Sequence, residues 1–307
     1  MLEETHRRPV KRLAYIPALD TAEHLLDVVS RAAWFLTFSP IERISLLISD
    51  PQLAEVEWTV APGMDPEIAH RFEALRHLVD FVPAASRAEV RPVIERADLV
   101  LRWRNDNLPQ WLSQAELERW LRKKTIFEVD PHTIRTEGGN YIDISYRLGP
   151  SVEQLRSTHQ RKFAALAKRL GSFERAFLLA TGPSVGKYPE FDYEGSLAIV
   201  CNTVLLDDEL MEKVRPKFAV FLDPIFHFGP SQYAAKFRAN LRRSAQRFDF
   251  QVCIPAKYHA VFTTAVPELE DRTIAIPFHK PRPFNFDLRS EFEVRTTANV
   301  LTFVMLP

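Results

Sequence analysis

The run Ala176-Phe-Leu-Leu-Ala-Thr-Gly-Pro-Ser-Val185 is apolar until it stops abruptly at Gly182-Pro183-Ser184. A buried strand that delivers a glycine-containing turn lets backbone approach a phosphate or ribose, and a serine hydroxyl beside it can donate or accept. Two further apolar runs close on polar residues, Ala198-Ile-Val-Cys-Asn202 and Phe218-Ala-Val-Phe-Leu-Asp-Pro224. Three such strand ends side by side predict one crevice lined by Gly182, Ser184, Asn202 and Asp223. Asp223 is positioned to act as a general base toward a hydroxyl or as a nucleophile, with a turn-forming Asp-Pro as the structural alternative. His227, four residues on in an aromatic run, offers acid or base chemistry or a phosphate contact, against the alternative of a packed core histidine. Tyr233, Lys236 and Arg238 on the following helix are candidates to neutralise a leaving phosphate, or else form a solvated helix face.

Gly-Pro-Ser by itself is also a common chain reversal, so its meaning depends on the elements around it. Residues 196–202 and 218–224 have the length and β-branched content of central strands, and Leu206 to Val214 between them reads as a short helix. That is a β-α-β pattern. Thr273-Ile-Ala-Ile-Pro277 is a further strand, followed by the aromatic, basic and proline-punctuated loop Phe278 to Asp287, whose His279, Lys280 and Arg282 suit an anionic sugar carboxylate or acceptor phosphate, with a purely structural loop as the equal alternative.

The first half alternates in the same way. Strands are expected at Arg12–Ala18, Ile44–Ser49, Leu78–Val82, Leu99–Arg102 and Thr125–Val129, with helices over Thr21–Thr37, 65–77 and 86–96 and another before Thr125. This alternation predicts a parallel sheet, hence an α/β protein of two Rossmann-like domains with mainly parallel sheets. Their bounds are 11–148 and 172–307, joined by a linker helix at 151–170. In that helix Leu155, Phe163, Leu166 and Leu170 form a stripe, Arg156, Arg161, Lys162, Lys168 and Arg169 face solvent, and Gly171 caps the end. Glu128-Val-Asp-Pro-His132 groups two carboxylates and a histidine, and a metal there would need two more convergent ligands.

The chain has 307 residues, 46% of them hydrophobic, with 40 basic and 40 acidic side chains. That balance leaves no basic footprint for nucleic acid or an anionic membrane. No stretch approaches the roughly 18 apolar residues of a membrane span, and the first residues lack the apolar core of a signal peptide, so the cytoplasm is the expected compartment. Cys201 and Cys253 are the two cysteines and read as small buried hydrophobes. Walker and Gly-x-Gly-x-x-Gly patterns are missing, which argues against kinase and dinucleotide readings.

Ala-Thr-Gly-Pro-Ser, then Val-Cys-Asn, then Ala-Val-Phe-Leu-Asp-Pro-Ile-Phe-His-Phe, and finally Arg295-Thr-Thr-Ala-Asn-Val300 occur in the order seen in bacterial sialyltransferases that use CMP-activated sugars. Residues 173–307 resemble that family, and more distantly the central domain of motility accessory factors. The resemblance implies that Thr181, Gly182 and Ser184 cradle the nucleotide, that Asn202 hydrogen-bonds the CMP moiety, and that Thr297 and Asn299 contact it from the last helix. It also implies a glycosyltransferase that takes a CMP-activated acidic sugar as donor and a glycan or glycolipid as acceptor, for a bacterial surface polysaccharide. No cofactor is implied. The chain contains no Asp-x-Asp, and a single phosphate can be stabilised by the turn, a helix N-terminus and a basic side chain without metal.

Departures accompany the matches. Thr181 stands where the family has Asn, Ile225 where it has another Asn, and Ala298-Asn299 where it has Ser-Gly. The family's catalytic histidine lies beyond the matched helix, and Asn299 to Pro307 is an apolar run without a cap or polar tail, which suits a truncated or partner-dependent domain or, equally, a terminal helix docked on the sheet. Two rival readings follow: a non-catalytic or truncated nucleotide-binding module, and a pterin pyrophosphokinase-like enzyme needing ATP and magnesium. Homo-oligomerisation is left open.

Overall fold

The computed structural model describes residues 10–37, 39–103, 108–129, 134–222 and 224–277. The chain divides into one unit of Met1–Gly149 with Pro230–Gln232, and a second of Pro150–Gly229 with Tyr233–Pro307. Each contains a five-stranded sheet in which all neighbouring strands are parallel. The α/β class expected from the alternation of elements is therefore present in both halves.

In the first unit β1 (Arg12–Leu19), β2 (Arg43–Ile48), β3 (Val79–Pro83), β4 (Leu99–Arg102) and β5 (Thr125–Glu128) lie in the order β3-β2-β1-β4-β5. Every residue of β1 after Arg12 is buried, as a central strand covered on both faces requires. The connecting helices are α1 (Ala22–Phe35), α2 (Phe72–Arg76), α3 (Arg87–Arg96), α4 (Gln114–Leu121) and α5 (Ile134–Leu148). Ala14 and Ile16 pack with Val90, Val93 and Ile94 of α3 and Leu117 and Leu121 of α4. Tyr15, of opposite parity, meets Tyr141 of α5 through hydroxyls 3.0 Å apart.

Two differences from the sequence reading have local causes. Residues 65–77 form a 3-10 turn, Pro66–Arg71, and then the short α2, rather than one helix. Helix α5 was not anticipated, because Gly138-Gly139 lies within it and each glycine costs a helix about 1 kcal/mol relative to alanine. Tertiary packing compensates, with Tyr141 stacked on Phe35 at 4.5 Å and the Arg147 guanidinium 5.0 Å over the Phe127 ring.

The second unit contains α6 (Val152–Leu170), β6 (Ala176–Leu179), β7 (Leu197–Cys201), α7 (Asp208–Val214), β8 (Phe218–Val220), α8 (Pro224–Phe228), α9 (Gln232–Arg247), β9 (Gln251–Pro255), α10 (His259–Ala265) and β10 (Thr273–Ile276). Its strands lie in simple chain order, β6 to β10. Every crossover therefore steps the same way, and right-handed crossovers then send their helices to one face. On that face Phe221 meets Phe228 at 5.4 Å and Phe237 at 5.7 Å, and Phe228 meets Phe262 at 4.8 Å.

The opposite face belongs to α6. Its Phe163, Leu166 and Leu170 pack with Cys201, Phe218, Val220, Cys253 and Ile274, so the helix expected as a linker is an integral layer of this unit. Ser151 and Gln154 form a capping box at its start, and Gly171 at φ 75° ends it. Helix α6 packs chiefly against β10 at one edge of the sheet, and at the other edge Leu178 of β6 is 37% exposed. Strand β8 is shorter than the seven residues expected, because Pro224 opens α8. Among the described residues no helix is long and apolar enough to cross a membrane.

Candidate nucleotide pocket at the β6 and β7 ends

Parallel pairing of β6 with β7 aligns Leu179 with Val200, so the residues that follow, Ala180-Thr181-Gly182 and Cys201-Asn202, leave the sheet side by side. Gly182 opens a 3-10 turn over Pro183–Glu190, with its carbonyl accepting from the Val185 N–H at 3.0 Å. Pro183 suits the first position because its fixed φ favours a turn and it has no N–H to satisfy. The turn is held from behind. Lys213 Nζ donates to the Pro189 carbonyl at 2.9 Å, and the Tyr193 hydroxyl donates to the Tyr188 carbonyl at 3.1 Å.

Thr181, Gly182, Ser184 and Asn202 line a cavity of about 670 Å3, a size typical of small-molecule sites. Its wall also includes Phe177, Leu178, Lys187, Tyr188, Phe191 and Tyr193. Thr181, Gly182 and Ser184 are exposed at its rim and Asn202 is half-buried. A Cβ added to Gly182 would meet open space, so nothing in the unliganded fold demands glycine there.

Asn202 has two unusual properties. Its φ of 49° places it in the left-handed region, which asparagine tolerates better than most residues. Its Oδ1 is buried without a hydrogen-bond partner. Such an acceptor costs about 1–3 kcal/mol if left unmet, and a ligand donor would satisfy it.

The titratable groups of the wall divide by chemistry. Lys187 is the one cation among the described lining residues and is exposed. Desolvation, with Asp207 and Glu209 nearby, raises the Tyr188 phenol above its ordinary range, keeping it an O–H donor. Burial pushes the Cys201 thiol up to about 12, so the cysteine is a neutral part of the wall and not a nucleophile.

The remaining sequence candidates fall elsewhere. His227 is buried, with its ring stacked on Phe237 at 4.1 Å and beside Phe221 and Phe228, and it does not line the cavity. Arg238 is fully buried and donates to the Gly229 carbonyl at 2.7 Å, which makes it a structural strut, whereas Tyr233 and Lys236 are exposed. Glu128 is exposed and pairs with Arg102 at 3.7 Å. Asp223, Thr297 and Asn299 lie outside the described residues, as do Asp130, His132, His279, Lys280 and Arg282. Among the described residues no cluster of three or more metal-ligating side chains occurs.

The aromatic wall was not among the sequence candidates. Its signal was the run Lys187-Tyr-Pro-Glu-Phe-Asp-Tyr193 directly after the Gly-Pro-Ser turn. Fold and site together define an α/β protein with two parallel-sheet units and a partly aromatic pocket at two strand ends. No family model matches the chain, and no curated protein matches it.

Proposed function

We propose that the second unit binds a CMP-activated acidic sugar at the β6 and β7 ends and that the chain is a metal-independent glycosyltransferase. The acceptor would be a glycan or glycolipid of a bacterial surface polysaccharide, and the reaction would take place in the cytoplasm. The observation that supports this most is the shared cavity of Thr181, Gly182, Ser184 and Asn202, residues drawn from two sequence matches. Asn202 Oδ1 lacks a donor, which a cytosine amine or ribose hydroxyl supplies. A CMP-sugar carries a single phosphate, and Lys187 with the backbone of the Gly-Pro-Ser turn suits that charge. In this reading Asp223 acts as general base, and Thr297 and Asn299 complete the nucleotide contacts.

Calorimetric titration of the full chain with CMP, UDP, GDP and ATP, in EDTA and then in magnesium, tests this. Selective CMP binding in EDTA, lost in a Ser184→Ala, Asn202→Ala double variant, is the expected result. Preference for ATP with magnesium would instead favour the pterin pyrophosphokinase-like alternative, and binding of no nucleotide would overturn the proposal.

A second reading, a non-catalytic nucleotide-binding module, draws on His227, whose packing among Phe221, Phe228 and Phe237 gives it a structural role. CMP binding without turnover of any CMP-sugar, even to hydrolysis, would favour it.

A further inference from the structure

Exposed large hydrophobic side chains are few among the described residues: Leu178, Phe191, Phe226 and Tyr233. Two of these four, Leu178 and Phe191, line the β6–β7 cavity. Single exposed apolar residues need no explanation, but two lining one cavity beside an unmet polar acceptor do.

Phe191 is anchored although the residue is 46% exposed. Its N–H closes the 3-10 turn onto the Tyr188 carbonyl at 3.4 Å. Phe177 supports the ring from the strand, 5.9 Å away and tilted by 58°. Tyr193 supports Phe177 in turn at 4.6 Å, and Tyr193 is itself buried. The Ser196 hydroxyl, donating to the Tyr193 carbonyl at 2.6 Å, ties this corner to the start of β7. A ring held by fixed neighbours with much of its surface uncovered is already organised to receive a flat partner, so little side-chain entropy is lost on binding.

We infer that Phe191, backed by Phe177 and Tyr193, is a stacking platform for the planar base of the nucleotide, leaving Lys187 and the Gly-Pro-Ser turn to hold the phosphate. This rests on the nucleotide reading of the same cavity and adds a division of labour to it. The base contributes through its π-face and the phosphate through charge, so the two contributions separate when the ligand is cut into parts. Asn202 Oδ1, in the same wall, supplies the directional hydrogen bond that stacking lacks.

The experiment is calorimetry of the full chain with three probes, CMP, cytidine and ribose 5-phosphate, in wild type and in Phe191→Ala, Phe191→Tyr and Lys187→Ala variants. Phe191→Ala should weaken CMP and cytidine about tenfold or more and leave ribose 5-phosphate unchanged, the usual size of one base–aromatic stack. Phe191→Tyr should restore binding, and Lys187→Ala should weaken CMP and ribose 5-phosphate while sparing cytidine. Retained CMP affinity in Phe191→Ala, or equal weakening of all three probes, would overturn the platform and leave the nucleotide reading standing. A wild-type chain that binds neither CMP nor cytidine overturns both. Loss of a dimer in Phe191→Ala by sedimentation, with CMP affinity unchanged, would reassign the exposed ring to contact between copies of the chain and likewise overturn the platform.

Discussion

The two sheets are built from the same kind of strand, and they differ in how the chain winds through them. In the first unit the order β3-β2-β1-β4-β5 reverses direction at β1, which puts β1 in the middle and buries all but its first residue. In the second unit the order never reverses, so the first strand, β6, is left at an edge with Ala176 and Leu178 exposed. A doubly wound sheet opens its ligand crevice at the reversal point. The sequentially wound sheet has no such point, and its cavity forms where the edge strand β6 and its neighbour β7 end under the 3-10 turn. The two windings thus leave different strands at the sheet edges, β3 and β5 in the first unit and β6 and β10 in the second.

This contrast is open to attack by mutation. The largest effect is expected in the aromatic core on the helix-covered face of the second sheet. Phe221→Ala there should cost about 3–5 kcal/mol, because the ring is fully buried and touches Phe228 and Phe237. Hydrogen exchange of the β8 and α9 amides, with urea unfolding, measures it, and a loss below about 1 kcal/mol would mean that this face is loosely packed.

Acid should act next, and on the second unit first. His159 of α6 and His259 of α10 lie with ring centres 5.0 Å apart, and both are buried. Desolvation and the nearby Lys162 lower His159, and desolvation, His159 and Lys162 lower His259 from 6.5 to about 4. The folded state therefore binds fewer protons than the unfolded chain between these values. Stability is full above about pH 6.5 and falls as pH drops toward 4, by roughly 3 kcal/mol for His259. Amides of β9 and β10 should lose exchange protection before those of β1 to β4. A His259→Leu variant should lose much of this acid sensitivity, and parallel declines in wild type and variant would exclude the pair as its cause.

A smaller effect belongs to the first unit. Tyr15→Phe removes one hydroxyl of the buried pair with Tyr141 and should cost about 1 kcal/mol in a urea titration. The smallest effects are expected at the β6 edge, where Leu178→Ala and Gly182→Ala should each change stability by no more than about 0.5 kcal/mol. Gly182→Ala should nevertheless weaken CMP binding several-fold, because its new Cβ would occupy the space through which a phosphate approaches the turn. Unchanged CMP affinity in that variant would place the phosphate elsewhere in the cavity.

Much of the fold was legible because it follows from local periodicity. Apolar runs of strand length alternated with helical stripes, and Leu155, Leu166 and Leu170 occupy the α6 stripe as their spacing requires. The turn at Gly182-Pro183-Ser184 and the strand end at Asn202 were also readable, since each is a change from apolar to polar within a few residues. The partner of α6 was not readable. A stripe says that a face is buried but not against what, and α6 became a sheet layer where a linker was expected. His227 and Arg238 show the same ambiguity, because a polar residue in an aromatic run suits a site or a satisfied core position equally well.

By itself, then, the sequence determined the α/β class, the two parallel sheets and the residues at the two strand ends, because these depend on patterns a few residues long. Tertiary structure alone decided the sequential winding of the second sheet, the open edge at β6, and the return of Phe191 and Tyr193 to form a wall with Phe177. Those outcomes depend on which side each crossover passes and how distant side chains fill the space, and no local pattern encodes either.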